Sequence, residues 1–395
     1  MSSTTPESRA FPARTPAFTS RLPNVGTTIF TVMSALAQQR GAVNLGQGFP
    51  DFDADPALLD AVSAPLHGGL NQYAPMAGIP ELREAVARKV ADCYGRSYDP
   101  GREITITAGA TQAILTAVLA FVHPGDEVIV LDPCYDSYDP AVTMAGGVPV
   151  HVKLAAGTFA PDFDAIAAAL SPRTRAIVVN SPHNPSGTVW SAADMQRLED
   201  LLAPTDVLVI SDEVYEHMVY DGAAHQSVAR FAGLAERSVL ISSFGKTYHV
   251  TGWKIGYAVA PAALMDEFRK VHQFNVFCVN TPMQHGLARY MAEPRHHLEL
   301  PAFYQHKRDL FRAGLARTRL VPLPSAGTYF QCVDYRAVSD LDEVAFCRWL
   351  TEHIGVAAIP LAPFYADAFE QQIVRLCFAK RDETLQLALD RLAAL

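Results

Sequence analysis

An α/β protein with a mostly parallel sheet between layers of helices is predicted by the alternation of the chain between Ile104 and Val259. Seven short apolar runs recur there: Ile104–Thr107, Val128–Leu131, Val148–Val152, Ile177–Val179, Val207–Ile210, Val239–Ile241 and Ile255–Val259. Helical patterns separate several of them, among them Thr111–Val122, with Ile114, Leu115, Val118 and Leu119 on one face, and Ser191–Leu202 behind a Ser191 cap. Continuously apolar strands alternating with helices bury both faces of a sheet. A second observation is positional: Thr111, Asn184, Asp212 and Lys246 each fall just after one of these runs. Ligands of such sheets bind beyond the carboxyl ends of the strands. The third is a change of character near Pro282, from which helices and a few strands make a smaller α+β unit.

Before the sheet, Thr27–Gln39 carries Ile29, Phe30, Met33, Leu36 and Ala37 at helical spacing. The Gly/Pro loop Asn44–Asp51 follows, where Gly48 lets backbone approach a ligand. Beyond Pro282, Met283–Arg319 reads as mainly helical and Ser325–Phe330 as a turn into a strand. A helix over Leu341–His353, strands at Val356–Ile359 and Val374–Phe378 and a final helix close the chain.

Composition bounds the function. With 395 residues, 49% hydrophobic and 18% charged, the chain reads as a compact two-domain enzyme. A net charge of −9 argues against a nucleic-acid partner, which needs a basic face. No apolar run reaches the roughly 20 residues that span a bilayer. The six cysteines (Cys93, Cys134, Cys278, Cys332, Cys347 and Cys377) form no C-x-x-C pair, which fits reduced thiols in the cytoplasm and no metal site. Met1–Arg21, rich in Ser, Thr, Pro and Arg, lacks the apolar core of a secretory signal and reads as a loose arm.

The chemistry concentrates in Ser242–Thr247 and Gly252–Tyr257. Lys246 stands just past a strand in a small-residue loop, three positions after Ser243, with Lys254 eight positions on. An amine so placed can form a Schiff base with a carbonyl cofactor, and the neighbouring hydroxyl and ammonium can hold its phosphate. The preceding strand ends in Asp212, with Tyr215 three residues later on the same face of a helical turn. Together they read as a pyridoxal-phosphate site: Lys246 for the aldehyde, Asp212 for the pyridine nitrogen, Tyr215 for the ring hydroxyl. Asp212 capping a following helix is the alternative. Gly109–Gln112 turns from strand to helix, a phosphate cradle by its backbone N–H groups. An aromatic in Asp132–Tyr138 either stacks on the pyridine or packs under a loop. Asn184, between two X-Pro bonds, has an amide that could serve cofactor and substrate, and His183 beside it reads as a surface residue. Arg375 interrupts an apolar strand, which suits either a substrate carboxylate or an internal ion pair.

In order, the motifs LGQGFPDF, NQYAP, SPHNPSGT, SDEVYEH, SSFGKTYHVTGWKIGY, SAGTYFQ and VRLCFAK resemble the fold-type-I pyridoxal-phosphate aminotransferases of class I/II. Among these the chain is most similar to the methionine aminotransferases and the kynurenine aminotransferase and cysteine-conjugate β-lyase group. The resemblance covers about Arg21 to Leu395. It implies an α/β fold with a mostly parallel seven-stranded sheet flanked by helices. It divides the chain into an arm and joining segment (1–50), a large cofactor-binding domain (51–282) and a small domain (283–395). It implies catalytic roles for Lys246, Asp212 and Tyr215, with Asn184 and Tyr215 on the cofactor O3′ and Tyr135 on the ring face. Ala110, Thr111, Ser243 and Lys254 fall on phosphate contacts, and Tyr73 on a tyrosine that reaches the phosphate of a neighbouring subunit in a homodimer. Gly48, Asn184 and Arg375 fall on the substrate-carboxylate clamp, and Tyr329 on the substrate side.

Two departures stand out. Thr111-Gln112 replaces the Tyr-Gly of kynurenine-type members, and Lys254 stands where many relatives use arginine. The implied activity is ping-pong transfer of an amino group from an amino acid to a 2-oxo acid. Phe49, Tyr135, Phe274, Phe277, Tyr329, Phe364 and Tyr365 are expected to line a pocket suited to methionine and aromatic donors. A β-lyase would use the same site. A cofactor-binding transcriptional regulator would need a DNA-binding module that the residues before Thr27 are too few to form.

Overall fold

The computed structural model describes residues 18–395; most of the N-terminal arm lies outside the described residues. The expected apolar runs all form strands, and a single large sheet contains them. After a short β1 (Val43–Asn44) come β2 (Ile104–Thr107), β3 (Glu127–Asp132), β4 (Val148–Lys153), β5 (Thr174–Asn180), β6 (Leu208–Asp212), β7 (Ser238–Ser243) and β8 (Gly256–Val259). The sheet order is β2-β8-β7-β6-β5-β3-β4. Strands β4, β3, β5, β6 and β7 run parallel, and β8 lies antiparallel to both its neighbours.

Alternation along the strands divides the core in two. On β3, Val128 and Val130 face a cluster that includes Ile114 and Val118 of the helix Ala110–Phe121, together with Phe268. Ile129 and Leu131 face the opposite cluster, with Ile177, Val179 and Leu198. Period-two alternation over strands apolar on both faces is what a two-layered covering requires.

The smaller sheet is antiparallel, built from β9 (Val321–Pro322), β10 (Phe330–Asp334), β12 (Ile359–Pro360) and β13 (Ile373–Cys377) in the order β12-β13-β10-β9. Separately, β11 (Val356–Ala357) pairs in parallel with β1, Val43 opposite Val356, so the N-terminal segment joins the C-terminal unit. The N-terminal helix runs Ile29–Arg40, capped by the Thr28 side chain and closed by Gly41 at φ 60°. One expected helix is divided. Glu343–Trp349 is α-helical, whereas Leu350–Ile354 widens into a π turn that stops at Gly355, φ 77°.

Candidate active site

The carboxyl ends of β5, β6 and β7 open into one pocket. Its walls carry Ala110, Thr111, Ile114, Tyr135, Asn180, Asn184, Asp212, Val214, Tyr215, Ser243, Lys246, Thr251 and Lys254. Nine of the thirteen are residues singled out from the sequence.

Asp212, the last residue of β6, is buried. Burial pushes its carboxyl up to about 6, although Tyr138 and the Val214 N–H both donate to it, at 2.6 and 3.3 Å. The chain then makes a non-helical turn, so Asp212 caps no helix and Tyr215 shares no helical face with it. Asn180, the last residue of β5, pairs in register with Asp212. Its amide donates to the Asp212 backbone oxygen (2.8 Å) and accepts from the Asn184 N–H (2.8 Å), stitching the Asn184 turn to β6.

Lys246 lies on a one-turn helix, Phe244–Thr247, directly after β7. Burial lowers its amine to about 8, since a low-dielectric surrounding disfavours the charged form. The amine donates to Tyr329 Oη (2.8 Å) and to the Gly48 carbonyl (3.2 Å).

Across the pocket the helix Ala110–Phe121 begins with no side-chain cap on Gly109, which holds φ 80°. The first-turn N–H groups therefore point out without an acceptor among the described residues, beside the hydroxyls of Thr111 and Ser243 and the ammonium of Lys254. The approach needs glycine: a Cβ on Gly256 would lie 2.6 Å from Ser242 O and 3.2 Å from Ala110 N. Lys254 adopts the left-handed conformation (φ 55°, ψ 46°), uncommon for a side chain with a Cβ.

Arg375, on β13, is buried and has no protein carboxylate as hydrogen-bond partner. It donates to Asn184 Oδ1 (2.7 Å) and Gly46 O (3.0 Å), and its buried Nε has no partner among the described residues. Phe330 lies flat against the guanidinium at 3.9 Å, with Phe30 and Phe364 at 5.2 and 5.4 Å.

Two further expectations need correction, that for His183 and that for part of the aromatic pocket lining. His183 is buried rather than at the surface; it bonds Ser186 Oγ at 2.6 Å, and burial depresses its pKa to about 4. Tyr73, expected to serve a neighbouring subunit, is 82% exposed and stands outside this chain's own pocket against Phe277 (5.4 Å). Of the seven aromatic residues expected to line the pocket, only Tyr135 is among its walls; Phe274 is 87% exposed, and Phe49 and Phe277 are also exposed. Tyr329 accepts from Lys246 Nζ.

Sequence reasoning also missed Asn180 and Tyr138. Asn180 carried a signal, a polar residue closing an apolar strand. Tyr138 did not, because only the fold folds it back onto Asp212.

A buried amine, a buried carboxylate, a carboxamide, phenols and an uncapped helix end lining one pocket together fit a flat ligand that carries a carbonyl, a basic ring nitrogen, a ring oxygen and an anion. Pyridoxal 5′-phosphate has each of these, which makes the class that of a pyridoxal-phosphate enzyme. The family profile of aminotransferase class I and II matches residues 40–392, and the chain belongs to that family, whose cofactor is pyridoxal 5′-phosphate. It is 53% identical to methionine aminotransferase of Escherichia coli K12 over 95% of this chain and 98% of that one. It is 43% identical to a probable N-succinyldiaminopimelate aminotransferase of Mycobacterium tuberculosis over the same shares. A crystal structure of the E. coli protein, described as identifying a methionine aminotransferase function, superposes with a TM-score of 0.95 at 52% identity, covering 96% of this chain and 100% of that one.

Proposed function

We propose that this aminotransferase takes methionine as its preferred amino donor, with aromatic amino acids as slower donors, and passes the amino group to a 2-oxo acid by a ping-pong cycle. The observation that carries this reading is the surrounding of Arg375. One guanidinium stands ready for the α-carboxylate; around it, besides Asn184, Gly46 and the nearby Asp136 carboxyl, are the rings of Phe30, Phe330 and Phe364. A thioether packs well on such rings, at roughly 0.3–1.5 kcal/mol per sulfur contact. A second carboxylate would be buried without a partner at a cost of several kcal/mol. The likeness to E. coli methionine aminotransferase supports the same reading.

The residues take these roles. Arg375, Asn184 and the Gly48 backbone bind and orient the substrate carboxylate. Thr111, Ser243, Lys254 and the Ala110 end of the helix hold the cofactor phosphate, and Tyr135 and Tyr215 fix its ring. Asp212 keeps the ring nitrogen protonated. Lys246 would hold the cofactor at its carbonyl carbon, and its free amine would take the proton from the donor Cα. The bound cofactor supplies an electron sink for the charge left on that carbon.

The reading includes a homodimer with composite sites. Its support is the exposure of Leu66, Leu70, Tyr73 and Phe277, with Tyr73 and Phe277 edge to face at 5.4 Å. It also takes 51–282 as the cofactor-binding domain and 283–395 as the small one, supported by the β1–β11 pairing. A cytoplasmic setting is supported by the free cysteines, and among the described residues no helix is long and apolar enough to cross a membrane.

The test is kcat/KM for methionine, phenylalanine, tyrosine, histidine, kynurenine, aspartate and N-succinyldiaminopimelate against several 2-oxo acids. Methionine should lead. Aspartate or the succinylated donor outranking it rejects the proposal.

A further inference from the structure

We infer that Tyr329 is a positioning residue for the catalytic amine: with the Gly48 carbonyl it holds the released Lys246 side chain so that the nitrogen lone pair faces the pocket. This goes deeper into the reading above and rests on it for the role of Lys246.

The inference follows from counting donors and acceptors. A neutral primary amine has two N–H bonds and one lone pair, whereas an ammonium has three N–H bonds and none. Lys246 Nζ has two protein acceptors, Tyr329 Oη at 2.8 Å and Gly48 O at 3.2 Å. Neither can return a proton to it. Gly48 O carries none, and the Tyr329 hydroxyl directs its own to Gly48 O at 2.5 Å. Three groups therefore close a small ring of hydrogen bonds in which both N–H bonds of the neutral amine are satisfied. The lone pair is left for the pocket that Lys246 lines with Asp212, Asn184 and Tyr215.

The triangle is held rigidly. Tyr329 is fully buried and packs edge-on against Tyr215 (5.2 Å) and Phe330 (4.9 Å). Gly48 sits so close to Phe330 that a Cβ would come 3.0 Å from its ring, so the carbonyl has little room to move. Burial keeps the phenol protonated well above its ordinary range. The amine is in turn flanked by the rings of Tyr215 and Tyr329, at 5.5 and 5.4 Å. The other charged and titratable groups facing it are Cys377, Arg375, Asp212 and Lys254. An ammonium here would have a third N–H without a protein acceptor among the described residues, in keeping with the lowered basicity of the amine. An amine with an aimed lone pair is prepared to act as nucleophile and as base.

The experiment begins on the cofactor-free protein. Competitive acetylation of Lys246 against pH, read by mass spectrometry of its peptide, should give a midpoint near 8 in the wild type. A wild-type midpoint near the ordinary 10.5 overturns the inference even if no variant folds. Tyr329→Phe keeps the ring and removes one acceptor. Since that bond favours the charged amine more than the neutral one, the midpoint should fall further, by about one pH unit. In the reconstituted enzyme kcat should fall about tenfold or more with KM unchanged, while the isotope effect from a Cα-deuterated donor grows.

An unchanged midpoint with unchanged kcat overturns the proposal. So does a raised KM with an unchanged midpoint, which would make Tyr329 a substrate contact. If the wild type transaminates no amino acid, the proposed function fails, and the labelling curves still decide the place of Tyr329.

Discussion

Arg375 and Asn184, 191 residues apart, share a 2.7 Å hydrogen bond in which the guanidinium donates to an amide oxygen. An amide accepts the bond without cancelling the charge. The cation therefore remains open to a carboxylate, and the Asn184 NH2 group is not used by this bond. Replacing Arg375 with leucine should weaken every amino and oxo acid alike. Removing one side of a buried charged contact typically costs about 2–5 kcal/mol. Amines without a carboxylate should bind as before. KM and single-turnover rates for carboxylated and decarboxylated donors check this, and equal losses for both kinds would refute the clamp.

Asp212 carries a pH signature of its own. Its carboxyl rises from 3.8 to about 6 in the folded chain without cofactor, because burial penalises the charge. A raised folded value means that the stabilising protonated form is fully present below 3.8 and lost as pH passes 6. Above that the ionised group costs up to about 3 kcal/mol, at 1.36 kcal/mol per pH unit. Asp212→Asn should therefore raise the apoenzyme melting temperature at pH 8 and leave it nearly unchanged at pH 4, while turnover collapses. A variant with the wild-type kcat would make Asp212 structural only.

Beneath the same turn lies a network that the chemistry does not touch. Glu216, buried, accepts from Lys89 Nζ, Tyr94 Oη, Tyr257 Oη (2.7 Å) and Ser242 Oγ (2.6 Å). Burial would raise its carboxyl, but the Lys89 charge and these bonds outweigh it and hold the group well below the usual range. The depressed value is a stability present above pH 4.5 and lost as the pH falls. Lys89→Met should destabilise the fold by about 3–5 kcal/mol, because it leaves a buried carboxylate unpaired. Lys89→Met combined with Glu216→Leu should recover part of it. Chemical denaturation at pH 7 of the wild type, both single variants and the double variant measures the pattern, and additive losses would argue against a coupled pair.

The sheet was legible because buried parallel strands leave continuous apolar runs, as in Val128–Leu131, and because Asp212 and Lys246 follow theirs immediately. Residues that act through distant partners left no such trace. Tyr138 reaches Asp212 across 74 positions, and Tyr329 reaches Lys246 across 83. His183 was misread because a polar residue in a Pro-rich turn looks solvated, whereas here the turn folds inward and Ser186 satisfies the ring. Tyr73 belongs to another category: one chain places it at the surface, and only a second copy could give it a cofactor to touch.

That last point leads to a mixing experiment. In a dimer with composite sites, the site holding one protomer's Lys246 uses the partner protomer's copy of Tyr73. Lys246→Ala homodimers should be inactive, and Tyr73→Ala homodimers should bind cofactor weakly and turn over slowly. In a hybrid, one site combines both lesions and the other has neither. Random reassortment makes half of the dimers hybrid, each with one intact site of two, so mixing should restore about a quarter of wild-type activity. Unfolding and refolding the two variants together, then assaying methionine turnover, tests this directly. Activity no greater than that of the Tyr73→Ala protein alone would place Tyr73 outside the partner's site, and an active monomer by sedimentation would remove the dimer altogether.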